Sequence, residues 1–576
     1  MDCRERIYSE EYADGIIDFD VAEYITQEID ACAVSIGNGF TLVYQNRNLA
    51  PDIPGSGYEY RYIPNLYGLM QIDAGTAGME RFDPAALVEI GSLSLLAEPL
   101  ALTGRGTVIA FIDTGINFND DVFKDEFGQT RILAMWDQND GGTASPPDGF
   151  YYGSEYTRSR IQEAIDSERP YEAIPARDSG LHGSILAAVA AGSKLGGGEE
   201  YNSPAPESDI LVVKLKEAKE YLKSYYQVPQ TVSCYEESDI MAGVAYAMRY
   251  AESFQRPLII CLGVGTNMGA HTADGMLARY LEQVARIPGV CVVSAAGNEG
   301  SAQHHYQGNL SVGVEDAYED VEVLVEDGIS GFSMEMWGLL PDTYTVGVRT
   351  PGGEVVPPFR IVRESTREYR FVFERTILVI QQVLVEISAG QQFVRFILQN
   401  PTAGVWSFRI QGVGNVYDGR FHIWLPIQEF LPRDVRFLRP DPRVTVTCPA
   451  NGEGVISVAA YDGETGGLWA PSGKGYTPEG HIVPSVSAPG VDVFTPYGRR
   501  TGTSIAAALV SGGLAQYLQW AIVEDNDLLA GGIGVRSFLE KGAIRDTQLR
   551  YPNPNWGYGK ANIRGMLEVM QDTGGM

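Results

Sequence analysis

Histidine is scarce: six residues, at positions 182, 271, 304, 305, 422 and 481, serve a chain of 576. Any reaction that needs an imidazole must draw on one of them. Cysteine is as rare. Cys3, Cys32, Cys234, Cys261, Cys291 and Cys448 contain no C-x-x-C pair, which excludes the usual zinc and redox spacings and reads as reduced core or surface thiols, with no disulfide framework. Positive charge is in deficit, Lys+Arg 43 against Asp+Glu 74, a formal net charge of −31. That balance disfavours nucleic acid and anionic membrane as partners and fits a soluble acidic surface. No apolar run reads as long enough to cross a bilayer. The start, Met1-Asp2-Cys3-Arg4-Glu5-Arg6, leads into acidic residues instead of a basic-then-apolar signal, so a cytoplasmic protein is expected. Internal repeats and low-complexity tracts are also lacking.

What is present is enough length for roughly three or four domains. Cys32–Ile36 and Phe40–Tyr44 alternate across Gly37-Asn38-Gly39 and predict a hairpin in a small αβ unit. Asp83-Pro84-Ala85 opens a short helix. From Gly104 the character changes. Thr107–Ile112, Asp209–Lys214, Pro257–Leu262 and Val290–Ser294 are apolar, β-branched runs, with a helical pattern between the second and third. That alternation predicts a doubly wound parallel sheet with helices on both faces. Between about 312 and 440 short strands separated by Gly, Pro and Asn replace it, as in a β-sandwich. The α/β pattern returns at Gly454–Ala459. The expected division is 1–95, 96–311, 312–440 and 441–576.

Three polar groups stand where open α/β sheets place chemistry. Asp113 ends the strand Thr107–Ile112, and Asn298 follows the strand Val290–Ser294; either suits a turn as well as a site. Ser504, in Gly502-Thr503-Ser504-Ile505-Ala506, has small neighbours and begins an alanine-rich helix. His182 precedes a helix of small residues, a place for a cap, a core residue or a base. A serine nucleophile needs a base and oxyanion donors. No histidine follows Ser504, which excludes the nucleophile-elbow order, and none precedes Asp113, which excludes the chymotrypsin order. Asp113, His182, Ser504 is what remains, the order found in subtilisin.

Ile112-Asp113-Thr114-Gly115, His182-Gly183-Ser184, Ala296-Gly297-Asn298 and Gly502-Thr503-Ser504-Ile505-Ala506 together resemble the four signature blocks of the subtilases. Through Arg131–Gln138 and Tyr551–Pro554 the chain is similar to the Csp-type germination proteases of Clostridia and related spore formers. The resemblance implies a serine endopeptidase with an N-terminal prodomain that folds the protease, is cut by it and can stay bound. It also implies an inserted jelly roll, a spore-associated setting and, as target, a hydrolase of the spore cortex. In this reading Asp113, His182 and Ser504 form the triad and Asn298, with the Ser504 N–H, the oxyanion hole. Leu262, Gly263, Val264 and Gly265 would flank the substrate on one side and Ser294, Ala295, Ala296 and Gly297 on the other.

Some residues depart from the pattern. Ile185 replaces a second histidine, Ser184 a threonine, and Cys261-Leu262-Gly263 stands for a Ser-Leu-Gly substrate strand. Prodomain cleavage is expected between Tyr67 and Gly91. No cofactor is implied; Asp137-Gln138-Asn139-Asp140-Gly141 suits calcium or, more simply, a turn. Two readings compete with an active protease: a pseudoprotease that regulates a partner, and a scaffold held inhibited by its own prodomain.

Overall fold

The apolar runs lie side by side. In the computed structural model, which describes residues 2–20, 31–47, 60–75, 82–139, 143–193, 201–359, 363–431 and 433–573, eight strands form one sheet. Their order across it is Val486–Pro489, Ile456–Tyr461, Val290–Ala295, Leu258–Leu262, Val108–Asp113, Asp209–Lys214, Ile132–Asp137 and Ser154–Thr157. Every neighbour is parallel except the last pair. Successive residues on a strand point to opposite faces. Ile109 and Phe111 therefore pack with the helices His182–Ala191 and Thr503–Leu518, while Val108, Ala110 and Ile112 pack with Glu237–Phe254 and Met276–Ala285.

The alanine and glycine content of the first pair sets how closely they approach. A Cβ on Gly512 would fall 2.4 Å from the Ala190 carbonyl oxygen. One expectation needs correction here. Thr503–Val523 does reach the length and apolarity of a membrane span, but almost all of it is buried inside the protein, because it is the central helix of the core.

The N-terminal unit is a three-stranded antiparallel sheet, Tyr12–Ile17 and Ala31–Gly37 on either side of Phe40–Asn46, behind a helix Cys3–Tyr8. The hairpin turns at Asn38-Gly39, both with positive φ (52° and 77°), as a two-residue turn between right-twisted strands requires. A second correction concerns the thiols. Cys3 and Cys32 form a disulfide, because the first helix lies along the strand Ala31–Gly37 and brings their Cα atoms to 5.4 Å. Cys234, Cys261, Cys291 and Cys448 are free.

Residues from His305 to Phe437 form two antiparallel sheets of six and five strands face to face. Val323, Phe332, Phe396, Trp406 and Phe408 fill the space between them. The insertion therefore carries its own core and interrupts the α/β unit between Asn298 and Ser504.

Candidate active site

One strand end and two helix starts converge on one point. Asp113 is the last residue of its strand, His182 the first of its helix, and Ser504 the second residue of Thr503–Leu518. All three are buried. Asp113 Oδ1 lies 2.8 Å from His182 Nδ1 and also accepts the Thr114 N–H at 2.7 Å. Asp178, which the sequence reading did not single out, holds the start of the histidine helix. Its carboxylate accepts from Ser184 N (2.8 Å), Ser184 Oγ (2.7 Å) and Thr114 Oγ1 (2.9 Å).

Gly263 must lack a side chain. A Cβ there would fall 2.7 Å from His182 Cε1 and 2.8 Å from Asp113 Oδ2.

The other face of the imidazole meets the protein's own chain. His182 Nε2 lies 3.0 Å from the Met70 carbonyl oxygen, which also accepts from Ser504 Oγ at 3.0 Å. Both partners of the ring, a carboxylate and a carbonyl, are acceptors, which favours a ring with two N–H groups. Burial alone would lower the His182 pKa, but the Asp113 charge, its hydrogen bond and the Met70 carbonyl carry it above the ordinary value. Asn298 Nδ2 donates to the next carbonyl, that of Gln71, at 2.9 Å. Its Oδ1 is oriented by Thr503, through Oγ1 at 2.8 Å and the backbone N–H at 3.3 Å. Ser504 stands in the first helical turn, where backbone N–H groups have no partner within the helix.

Residues 66–74 run through this cleft as a peptide would. Leu66–Leu69 is the middle strand of a small sheet, paired antiparallel with Val264–Gly265 on one side and Tyr235–Glu236 on the other. The Met70 N–H donates to the Gly263 carbonyl at 2.8 Å. Beyond the serine, Asp73–Ala74 pairs with Arg500–Thr501. The Met70 side chain is buried, its Sδ 3.9 Å from Thr447 Oγ1. Thr447 also occupies the space a Cβ on Gly265 or Gly297 would need (2.6 Å in each case), and its N–H bonds the Ala296 carbonyl.

Of the flanking residues expected from sequence, Gly263, Val264 and Gly265 line the strand, and Ala296 and Gly297 adjoin Thr447. Leu262 and Ser294 pair with each other inside the main sheet, both wholly buried, and Ala295 joins the apolar core. Cys261 is likewise an interior strand residue, so the substrate edge begins two residues later than the Ser-Leu-Gly comparison implied. Tyr235, Glu236, Thr447, Arg500 and Met70 had no signal in the sequence beyond their neighbourhood. Of the segment weighed for calcium, Asp137 pairs with Lys214 Nζ at 3.3 Å and accepts the Asn139 N–H at 3.0 Å, while Asp140 and Gly141 lie outside the described residues. No group of three or more His, Cys, Asp or Glu able to hold a metal occurs among the described residues.

A doubly wound sheet with an aspartate, histidine and serine gathered at the strand ends, and a strand laid across them, defines the architecture of a serine peptidase of subtilisin type. The model of the subtilase family matches residues 104–347 and 438–559, and the chain belongs to that family. The chain is 29% identical to the CspB protease of Clostridium perfringens, with a TM-score of 0.74, over 85% of this chain and 98% of that one. It is 22% identical over 445 residues to the C5a peptidase of Streptococcus pyogenes serotype M6, covering 72% of this chain. The chain spans about a third (34%) of the length of that curated relative.

Proposed function

We propose that the chain is a serine endopeptidase that cuts its own backbone between Met70 and Gln71 and keeps the released N-terminal unit in its cleft. The observation that carries this reading is the Met70 carbonyl oxygen, 3.0 Å from both Ser504 Oγ and His182 Nε2, with the Met70 N–H tied to Gly263. Ser504 Oγ attacks the Met70 carbonyl carbon as His182 Nε2 takes its proton, and Asp113 holds the ring and stabilises its cation. The carbonyl oxygen, as it becomes an oxyanion, swings from the serine–imidazole gap to the Ser504 N–H and to Asn298 Nδ2, which exchanges the Gln71 carbonyl for it. His182 then passes its proton to the Gln71 nitrogen as the acyl bond breaks away from it. Water, activated by the same imidazole, frees residues 1–70.

A specific set of contacts favours a latent product. Asp14 and Lys219 meet at 2.6 Å in the interior, Glu10 accepts the Glu220 and Tyr221 N–H groups at 2.9 and 3.1 Å, and Tyr280 Oη donates to Ile36 O at 2.8 Å. After the cut these contacts persist, so the same molecule is both processed and self-blocked. The target implied by the Csp-type resemblance, a spore cortex hydrolase activated by limited proteolysis, is supported by likeness of sequence and belongs to the proposal.

Intact mass of purified wild type beside Ser504→Ala tests it. Wild type is expected as two pieces, 1–70 and 71–576, and Ser504→Ala as one. A wild-type chain that stays whole would overturn the reading; a break one bond later would move the scissile carbonyl to Gln71, which Asn298 already holds.

A further inference from the structure

Gly68 is the third residue before the cut bond, on the strand Leu66–Leu69, with its Cα opposite Gly265. Its outer side is walled by the connection between the last two strands of the inserted β-sandwich, Arg420–Trp424 and Val435–Phe437. A Cβ built on Gly68 would fall 2.6 Å from Ile427 Cδ1 and 3.1 Å from Phe430 Cε1. Neither side chain has room to yield. Ile427 is wholly buried, Phe430 is 2% exposed, and both belong to the apolar cluster that holds Leu66 and Met70. Residues 68 and 70 share a face of an extended strand, which agrees with one cluster touching both positions.

The wall is also fixed through its backbone. Ile427 precedes the one-turn 3-10 helix Gln428–Phe430, and the Gln428 N–H donates to Glu299 Oε1 at 3.1 Å. Glu299 Oε2 meets His304 Nδ1 at 2.6 Å and accepts from Asn267 Nδ2 at 3.1 Å, while the same Asn267 nitrogen reaches the Leu425 carbonyl at 3.2 Å. Glu299 is the residue after Asn298, so the wall is tied to the segment that carries the oxyanion donor.

We propose that Ile427 and Phe430, contributed by the insertion, roof the third residue before the scissile bond and restrict protein substrates, beginning with the chain's own N-terminal segment, to glycine at that position. The inference rests on the reading of Met70–Gln71 as the cut bond. It gives the β-sandwich a part in selecting substrate: the connection between its last two strands completes one wall of the cleft that the α/β unit leaves open.

Two readouts test it. In full-length Ser504→Ala, where no cut occurs, Gly68→Ala lowers the melting temperature, and adding Ile427→Val, which removes only the atom nearest the new methyl, recovers part of the loss. The double variant is then more stable than the sum of the singles predicts. With Ser504 present, Gly68→Ala slows appearance of the 1–70 fragment about ten- to a hundredfold, the rate equivalent of forcing a methyl into a packed site, and Ile427→Val restores part of it. Strict additivity in the Ser504→Ala chain, or unchanged cutting of Gly68→Ala beside a wild type that cuts, would overturn the roof. A wild type that does not cut, or that cuts one bond later, would instead refute the reading of Met70–Gln71, and the melting-temperature coupling alone would still decide whether the roof exists.

Discussion

Asp14 of the N-terminal unit and Lys219 of the catalytic unit are joined at 2.6 Å, each almost wholly buried. Lys219 Nζ also donates to the Tyr12 carbonyl at 3.0 Å, and Asp14 N–H to Tyr221 Oη at 2.7 Å. The pair is part of a buried group with Glu236, Lys216 and Asp239. Burial and the Glu236 charge push the Asp14 carboxyl well above the usual carboxylate range, against the pull of Lys219, so losing Asp14 chiefly removes a buried hydrogen bond to the Lys219 ammonium, at about 1.5–3 kcal/mol. Asp14→Ala is therefore expected to release the 1–70 fragment from 71–576 in size-exclusion chromatography, where wild type co-elutes. Co-elution of the variant fragments would mean that the apolar contacts of the hairpin suffice.

His182 must be neutral to take a proton, and its pKa is raised above the ordinary value of 6.5. The rate of self-cleavage after refolding should thus climb with pH and reach half its plateau above pH 6.5. Asp113→Asn removes the main upward influence after burial has acted, so the midpoint falls, and the plateau drops about ten-thousandfold as the ring loses its tautomer. A midpoint unmoved by Asp113→Asn would show that another group governs the profile.

Asn298→Ala should leave the fold in place and slow the cut about 100- to 1,000-fold, the usual effect of losing one oxyanion donor. Quantifying the 1–70 fragment by mass against time reads it directly. A loss under tenfold would assign the oxyanion to backbone donors alone.

Burial, together with the Glu299 charge, pushes the Glu429 carboxyl up to about 8 from 4.5. Between those values the folded protein binds the proton and the unfolded chain does not, so stability falls as pH rises through that window. Glu429→Gln lacks this slope. In the Ser504→Ala background the melting temperature of the Gln variant relative to the parent should rise from pH 4.5 to 8 and level off above it; a flat difference would reject the assignment.

Much of this site could be read before any fold was known, because Asp113, His182, Asn298 and Ser504 each sit at the end of an element whose periodicity is plain, and their order admits few arrangements. The substrate edge could not be placed as well. A shift of two residues along a strand preserves which face each side chain occupies, so Cys261-Leu262-Gly263 and Gly263-Val264-Gly265 are equivalent as patterns and only the pairing with Leu66–Leu69 separates them. Tyr235–Glu236 is too short to show a period. Thr447 lies beyond a whole inserted domain from the glycines it packs against. Cys3 and Cys32 meet because a helix settles on a sheet, and their spacing along the chain does not announce it.

The position of the β-sandwich has a consequence in time. Synthesis runs from the N-terminal side towards Ser504, and domains tend to fold as units as they emerge. The strand Leu66–Leu69 and both of its partners, Tyr235–Glu236 and Val264–Gly265, precede the insertion, whereas Ser504 follows it. The central helix Thr503–Leu518 and the strands Ile456–Tyr461 and Val486–Pro489 also follow it, so the α/β core closes only when the segment that carries the nucleophile has emerged, by which time Leu66–Leu69 is already made. The strand that fills the cleft is thus at hand at every moment at which the serine can be in place.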